Sequence, residues 1–157
     1  MLAAAGVFVG AAWPASAARV DLTVNVTSNR GSYSVDQSAV YTVRVDNRSD
    51  QATAAGARAT LDVPNMLNSG AAWETSASAV QTGGGASAPS SFTRSADGRM
   101  VTATLPAVPA GGWVSYRLTA PGNPANGIVG ALTVTATVTT ASGDTDVDEA
   151  TDTATVG

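Results

Sequence analysis

Runs in which apolar and polar residues alternate one by one recur along the whole of this chain, and a period of two leaves few options except extended strands. In Ala131–Thr139 (ALTVTATVT), Leu132, Val134, Ala136 and Val138 fall on one face and the threonines on the other. Val20–Thr27 (VDLTVNVT) directs Val20, Leu22, Val24 and Val26 inward. Ser38–Asn47 does the same with Tyr41, Val43 and Val45, and Trp113–Thr119 with Val114, Tyr116 and Leu118. Ala55–Val63 has a small inward face of Ala55, Ala57, Ala59, Leu61 and Val63, and Pro64 stops it because proline cannot donate to a sheet ladder. Ala72–Ala79 reads as a strand carrying Trp73, and Glu149–Val156 as the last strand, with Ala150, Ala154 and Val156 inward. Ser91–Arg94 and Arg99–Leu105 flank Ala96-Asp97-Gly98, where the Asp-Gly pair offers the positive φ values of a tight hairpin. Eight or nine short strands, punctuated by turn residues about every dozen positions, predict an antiparallel β-sandwich.

Composition narrows the function. The chain has 157 residues, enough for one domain, with 13% charged residues, 5% aromatic residues and a net charge of -4. Its core must therefore be built from Val, Leu and Ala. It contains no histidine, cysteine or lysine. That removes the usual general base, the thiol nucleophile, the commonest metal ligands and the Schiff-base amine. It also rules out a Lys–Asn isopeptide bond. Serine activation has no base, and the two glutamates, Glu74 and Glu149, lie in no recognisable glycosidase arrangement. The expectation is a chain that is not an enzyme. All eight basic residues are arginines, scattered singly from Arg19 to Arg117, which argues against nucleic acid as a partner.

Residues 1–17 read as a secretory leader. Met1–Ala12 is small and apolar, Trp13-Pro14 breaks the run, and Ala15-Ser16-Ala17 is an A-x-A-like cleavage site. No Lys or Arg precedes the apolar stretch, and a buried apolar segment of the fold is the competing reading. The run is too short to span a bilayer as a helix. On this reading the mature chain starts at Ala18 or Arg19, residues 18–157 form one domain, and the product is secreted with no membrane span.

Several segments together resemble the immunoglobulin-like repeat of bacterial and archaeal surface proteins known as domain of unknown function eleven. Asp21-Leu22-Thr23-Val24 matches its opening strand. Val35 to Asn47 (VDQSAVYTVRVDN) matches its Val-Gly-Asp-x-Val-x-Tyr-x-Val-x-Val-x-Asn segment, with Asp36 in place of the glycine. Asp62-Val63-Pro64 stands for its Asp-x-x-Pro ending, Leu105–Trp113 (LPAVPAGGW) for its later approach to a strand, and the last two strands for its closing hairpin. The resemblance spans about residues 20–156. It implies an all-β, immunoglobulin-like antiparallel sandwich of about seven to nine strands, acting as an extracellular structural or adhesive module.

Two sets of residues are candidate sites. Asp144, Asp146 and Asp148 have the Asp-x-Asp-x-Asp spacing that opens a calcium loop, but no glycine stands sixth and Thr155 stands twelfth. On a strand the same three carboxylates form a solvated acidic row. Calcium is the one cofactor considered; otherwise none is expected. Trp73 and Trp113 could form an aromatic platform for a sugar, or fill volume at the rim of a thin core. The expected partners are other envelope proteins, or a second copy joined by strand addition to the edges at Val20–Thr27 and the C-terminal strand. The alternative is a carbohydrate- or calcium-binding module.

Overall fold

A computed structural model describes residues 18–30, 38–63, 74–75, 81–120, 132–146 and 150–156. The residues read as a leader lie outside these. Twelve strand segments are present: β1 Ala18–Val20, β2 Leu22–Ser28, β3 Ala39–Asn47, β4 Arg58–Asp62, β5 Glu74–Thr75, β6 Gln81–Gly83, β7 Ser91–Arg94, β8 Met100–Thr104, β9 Trp113–Ala120, β10 Leu132–Thr139, β11 Asp144–Asp146 and β12 Ala150–Val156. β1 and β2 are one run of chain interrupted at Asp21.

Two antiparallel sheets face each other. Each has five strand segments: the larger is five strands wide, in the order β12-β10-β4-β8-β7, and the smaller is four wide, β2-β3-β9 with β5 and β6 both along the far side of β9. A third, two-stranded pairing joins β1 to β11 in parallel, Ala18 opposite Asp144 and Val20 opposite Asp146. The first run thus changes partner at Asp21: its later part is an edge of the smaller sheet, and its first three residues bond to the strand leaving the Gly143 turn. The expected closing hairpin forms between β10 and β12, but β11 is diverted from it toward β1.

The period of two sets the core. Leu22, Val24, Val26, Ala39, Tyr41, Val43, Val45, Val114, Tyr116 and Leu118 come inward from the smaller sheet. Ala57, Ala59, Leu61, Val63, Val101, Ala103, Leu105, Val134, Ala136 and Val138 come inward from the larger sheet and its strand ends. The Tyr116 hydroxyl crosses the layer to donate to the Ala59 carbonyl at 3.4 Å, and its ring stands edge-on to Phe92, centroids 5.3 Å apart.

Two expectations are corrected. Ala55 is exposed, not inward: Ala55-Gly56 is a turn, Gly56 has φ +107°, and the strand begins at Arg58. The β7–β8 connection takes a positive φ only at Gly98, so Asp97 is not left-handed. The Gly98 amide donates to the Ser95 carbonyl at 2.9 Å and the Ser95 amide to the Met100 carbonyl at 2.9 Å. This is a turn followed by a glycine bulge rather than a two-residue hairpin. The Asp97 carboxylate accepts from the Ser95 hydroxyl and from the Arg99 amide, and these bonds hold it below the usual carboxylate range.

One end of the sandwich is tied by a buried amide. Asn47 is 1% exposed. Its Nδ2 donates to the carbonyls of Gln51 (2.8 Å), Val108 (3.0 Å) and Pro109 (3.1 Å). Its Oδ1 accepts from the Ser49 amide (3.1 Å) and hydroxyl (2.6 Å). Thr53 continues the seam: its amide donates to the Val108 carbonyl at 3.0 Å, and its Oγ1 accepts from the Val108 amide at 2.8 Å. Only an amide side chain supplies donors and an acceptor from one position without charge.

Asn47→Ala removes five hydrogen bonds from a buried position, though each carbonyl keeps one other donor, and chemical denaturation is expected to show a loss of about 1–3 kcal/mol. Tyr116 gives an alkaline signature. Burial raises its pKa, so the folded chain keeps the phenol proton where the unfolded chain releases it. The folded state then binds more protons, and stability falls as pH rises above about 10, by about 1.4 kcal/mol per pH unit from this group. Melting curves of Tyr116→Phe should decline less steeply over that range than those of the unmodified chain.

Candidate binding face

The outer face of the smaller sheet gathers the polar and aromatic side chains that the alternation turns away from the core. Register places Thr23, Asp46, Trp113 and Gly83 in one row across β2, β3, β9 and β6. The next row is Asn25, Arg44, Ser115 and Gln81, and a third is Thr27, Thr42 and Arg117.

Trp113 is half-buried and held from two sides. The Arg44 guanidinium lies over its ring, 4.1 Å from the centroid, a cation–π contact. The same guanidinium is bidentate to Asp46, with Nε at 2.9 Å from Oδ2 and Nη2 at 2.6 Å from Oδ1. The ion pair raises the Arg44 pKa, chiefly through the hydrogen bonds its guanidinium donates to the Asp46 carboxylate. Beneath the indole, Gly83 leaves the room the ring needs: a Cβ there would collide with Nε1 and Cε2 of Trp113.

Four residues toward the other end of β9, Arg117 is exposed. No ion pair among the described residues involves it. It lines a groove of about 320 Å³ with Thr27, Ser28, Asn29, Val40 and Thr42. The Asn29 Oδ1 accepts from the Val40 amide at 2.9 Å, which leaves its NH₂ group toward other partners.

The residues singled out from sequence are distributed differently. Asp144 is half-buried on β11, and its Oδ2 accepts from the Ala54 amide at 2.7 Å, so it pins the loop after β3. The backbone of Asp146 lies in β11 beside Val20, whereas its side chain, Asp148 and Trp73 lie outside the described residues. Among the described residues no group of three or more His, Cys, Asp or Glu could hold a metal ion. From sequence alone Arg44, Asp46 and Gly83 were not joined to Trp113, nor Arg117 to Thr27 and Thr42. Their outward phase was visible; the pairing that makes them neighbours was not.

No protein-family model matches the chain, and comparison with curated proteins returns no match. Among solved structures, the chain is similar to the Actinomyces fimbrial adhesin FimA at 15% identity and a TM-score of 0.51, covering 85% of this chain and 56% of the adhesin. It is also similar to a CBM3 of Hungateiclostridium clariflavum, at 12% identity, TM-score 0.44, and 80% and 95% coverage of the two chains. A collagen-binding domain from a Staphylococcus aureus adhesin gives 7% identity, TM-score 0.42, and 87% and 95% coverage. The likeness to FimA is one of fold: this chain is an immunoglobulin-like antiparallel β-sandwich.

Gly83→Ala tests the seating of Trp113. Its backbone is in a region open to any residue, so the cost comes from the indole alone. The variant should lose about 1–3 kcal/mol of stability and shift the tryptophan emission to the red, with no shift in a Trp113→Phe background.

Proposed function

We propose that this chain is a secreted or cell-surface adhesive module that binds without catalysis, related in kind to the domain of unknown function eleven repeats. The observation that carries the reading is the outer face of the smaller sheet. There an aromatic ring, a guanidinium–carboxylate pair and a second arginine are displayed on β3 and β9, strands with a neighbour on both sides. Sites on such elements are held more firmly than sites on loops. The lack of histidine, cysteine and lysine supports holding rather than chemistry.

Self-association is the second part of the proposal. The terminal strands β2 and β12 are each the last strand of their sheet, the position from which backbone pairing to another chain can extend. The β1–β11 pairing occupies the first three residues of that flank, and β2 and β12 lie close against each other beyond it, so strand addition there requires the two to part.

Export and assembly are tested on the full chain expressed in a secreting host. Intact-mass measurement of the exported product should give a chain beginning at Ala18 or Arg19; an uncleaved product retained in the cytoplasm would remove the secretory reading. Light scattering over a concentration series should show association, and a monomer throughout would remove strand addition.

A further inference from the structure

We propose that the Arg117 groove takes the carboxylate of an acidic polysaccharide, whose chain continues along the outer face of the smaller sheet toward Arg44 and Trp113. This deepens the binding-module reading and rests on it. The groove joins the exposed Arg117 guanidinium to Thr27 and Thr42, which share its row, and to Asn29 beside Val40. Its volume of about 320 Å³ is at the lower end of the range of small-ligand pockets, roughly 300–1,000 Å³.

Charge decides the ligand's sign. The other arginine on this face, Arg44, is neutralised by a bidentate carboxylate, whereas no ion pair among the described residues involves Arg117. A guanidinium flanked by hydroxyl groups matches a carboxylate set among hydroxyls, which is the chemistry of an acid sugar.

Geometry favours a sugar over an extended peptide. Peptides that dock on sheets commonly add a strand at an edge and bond through the backbone. The groove lies instead over the β2–β3–β9 ladder, where Thr27 opposes Thr42 and Thr42 opposes Arg117, so the backbone beneath Thr42 is flanked by strands on both sides. A ligand there meets side chains, and those side chains are mostly polar. Trp113 stands four residues along β9 from Arg117, on the same face, roughly 13 Å away at the rise of an extended strand. Between them on β9 stands Ser115, 8% exposed, so a polymer would pass over it rather than bond to it. A polymer laid along β9 would pass from the cation to the aromatic end.

The test measures binding of the full chain to polygalacturonate, with dextran as a neutral polymer and poly-L-glutamate as an acidic peptide. Saturable binding to polygalacturonate is expected, falling as ionic strength rises from about 50 mM to about 500 mM. Arg117→Gln should weaken it about tenfold, about 1.4 kcal/mol, while Arg117→Lys retains most of it. Trp113→Phe should weaken it less. Arg58→Gln, an exposed change on the other sheet, should leave it unaltered, with melting curves showing that every variant is folded. Equal binding to dextran with no effect of Arg117→Gln would overturn the carboxylate site and leave a binding module standing. Stronger binding to poly-L-glutamate, unaffected at Trp113, would overturn the sugar in favour of an acidic peptide. No binding to any of the three overturns the proposal. If the chain also remains monomeric at every concentration, the adhesive reading falls with it.

Discussion

Everything in this fold leans on the fit between two unlike inner faces. The larger sheet presents Ala57, Ala59, Ala103 and Ala136, with valines and leucines between them; the smaller sheet presents Tyr41, Tyr116 and Leu118. Sheets pack about 10 Å apart, and side chains from both must fill that gap to the density of an organic crystal. A chain with 5% aromatic residues has few large side chains to spend, and alanines take many of the inward places on the larger sheet. Tyr116 shows the arrangement: its hydroxyl reaches the backbone of Ala59 in the far sheet. That contact lets the phenol be buried without leaving its polar atom unpaired.

The same central strands connect stability to the candidate site. β3 turns Val43 and Val45 into the core and Arg44 and Asp46 outward; β9 turns Val114 and Tyr116 inward and Trp113, Ser115 and Arg117 in the opposite direction. The spacing of the outer groups is therefore set by the ladder that the core enforces. At the end of β3, Asn47 ties the following turn to the loop that leads into β9. Arg44 and Trp113, contributed by strands about seventy residues apart in sequence, meet because that pairing is held in register.

Legibility from sequence followed the range of the interaction involved. Side-chain phase is local, and the inward sets of β2, β3, β9 and β10 match the structure wherever their side chains are described. Turn chemistry was partly local: glycine marked the bend at Gly98, yet Asp97 holds its turn through the Ser95 hydroxyl rather than through a left-handed backbone. Asn47 stood only as the end of an alternating run, since two of its partners lie some sixty residues away. Gly83 stands in a run of three glycines, and only its neighbour Trp113 shows that it provides space.

The chain by itself determined that it would form strands, which side of most strands would be buried, and that common catalytic side chains are missing. These follow from a two-residue repeat and from residue types, neither of which needs a partner to be read. Tertiary structure alone decided that β1 leaves its sheet to pair with β11, that the indole lies between Arg44 and Gly83, and that Arg117 shares a groove with Thr27 and Thr42. A strand's alternation says which way a side chain points. Which side chain stands beside it depends on register, and register is chosen by the whole core at once.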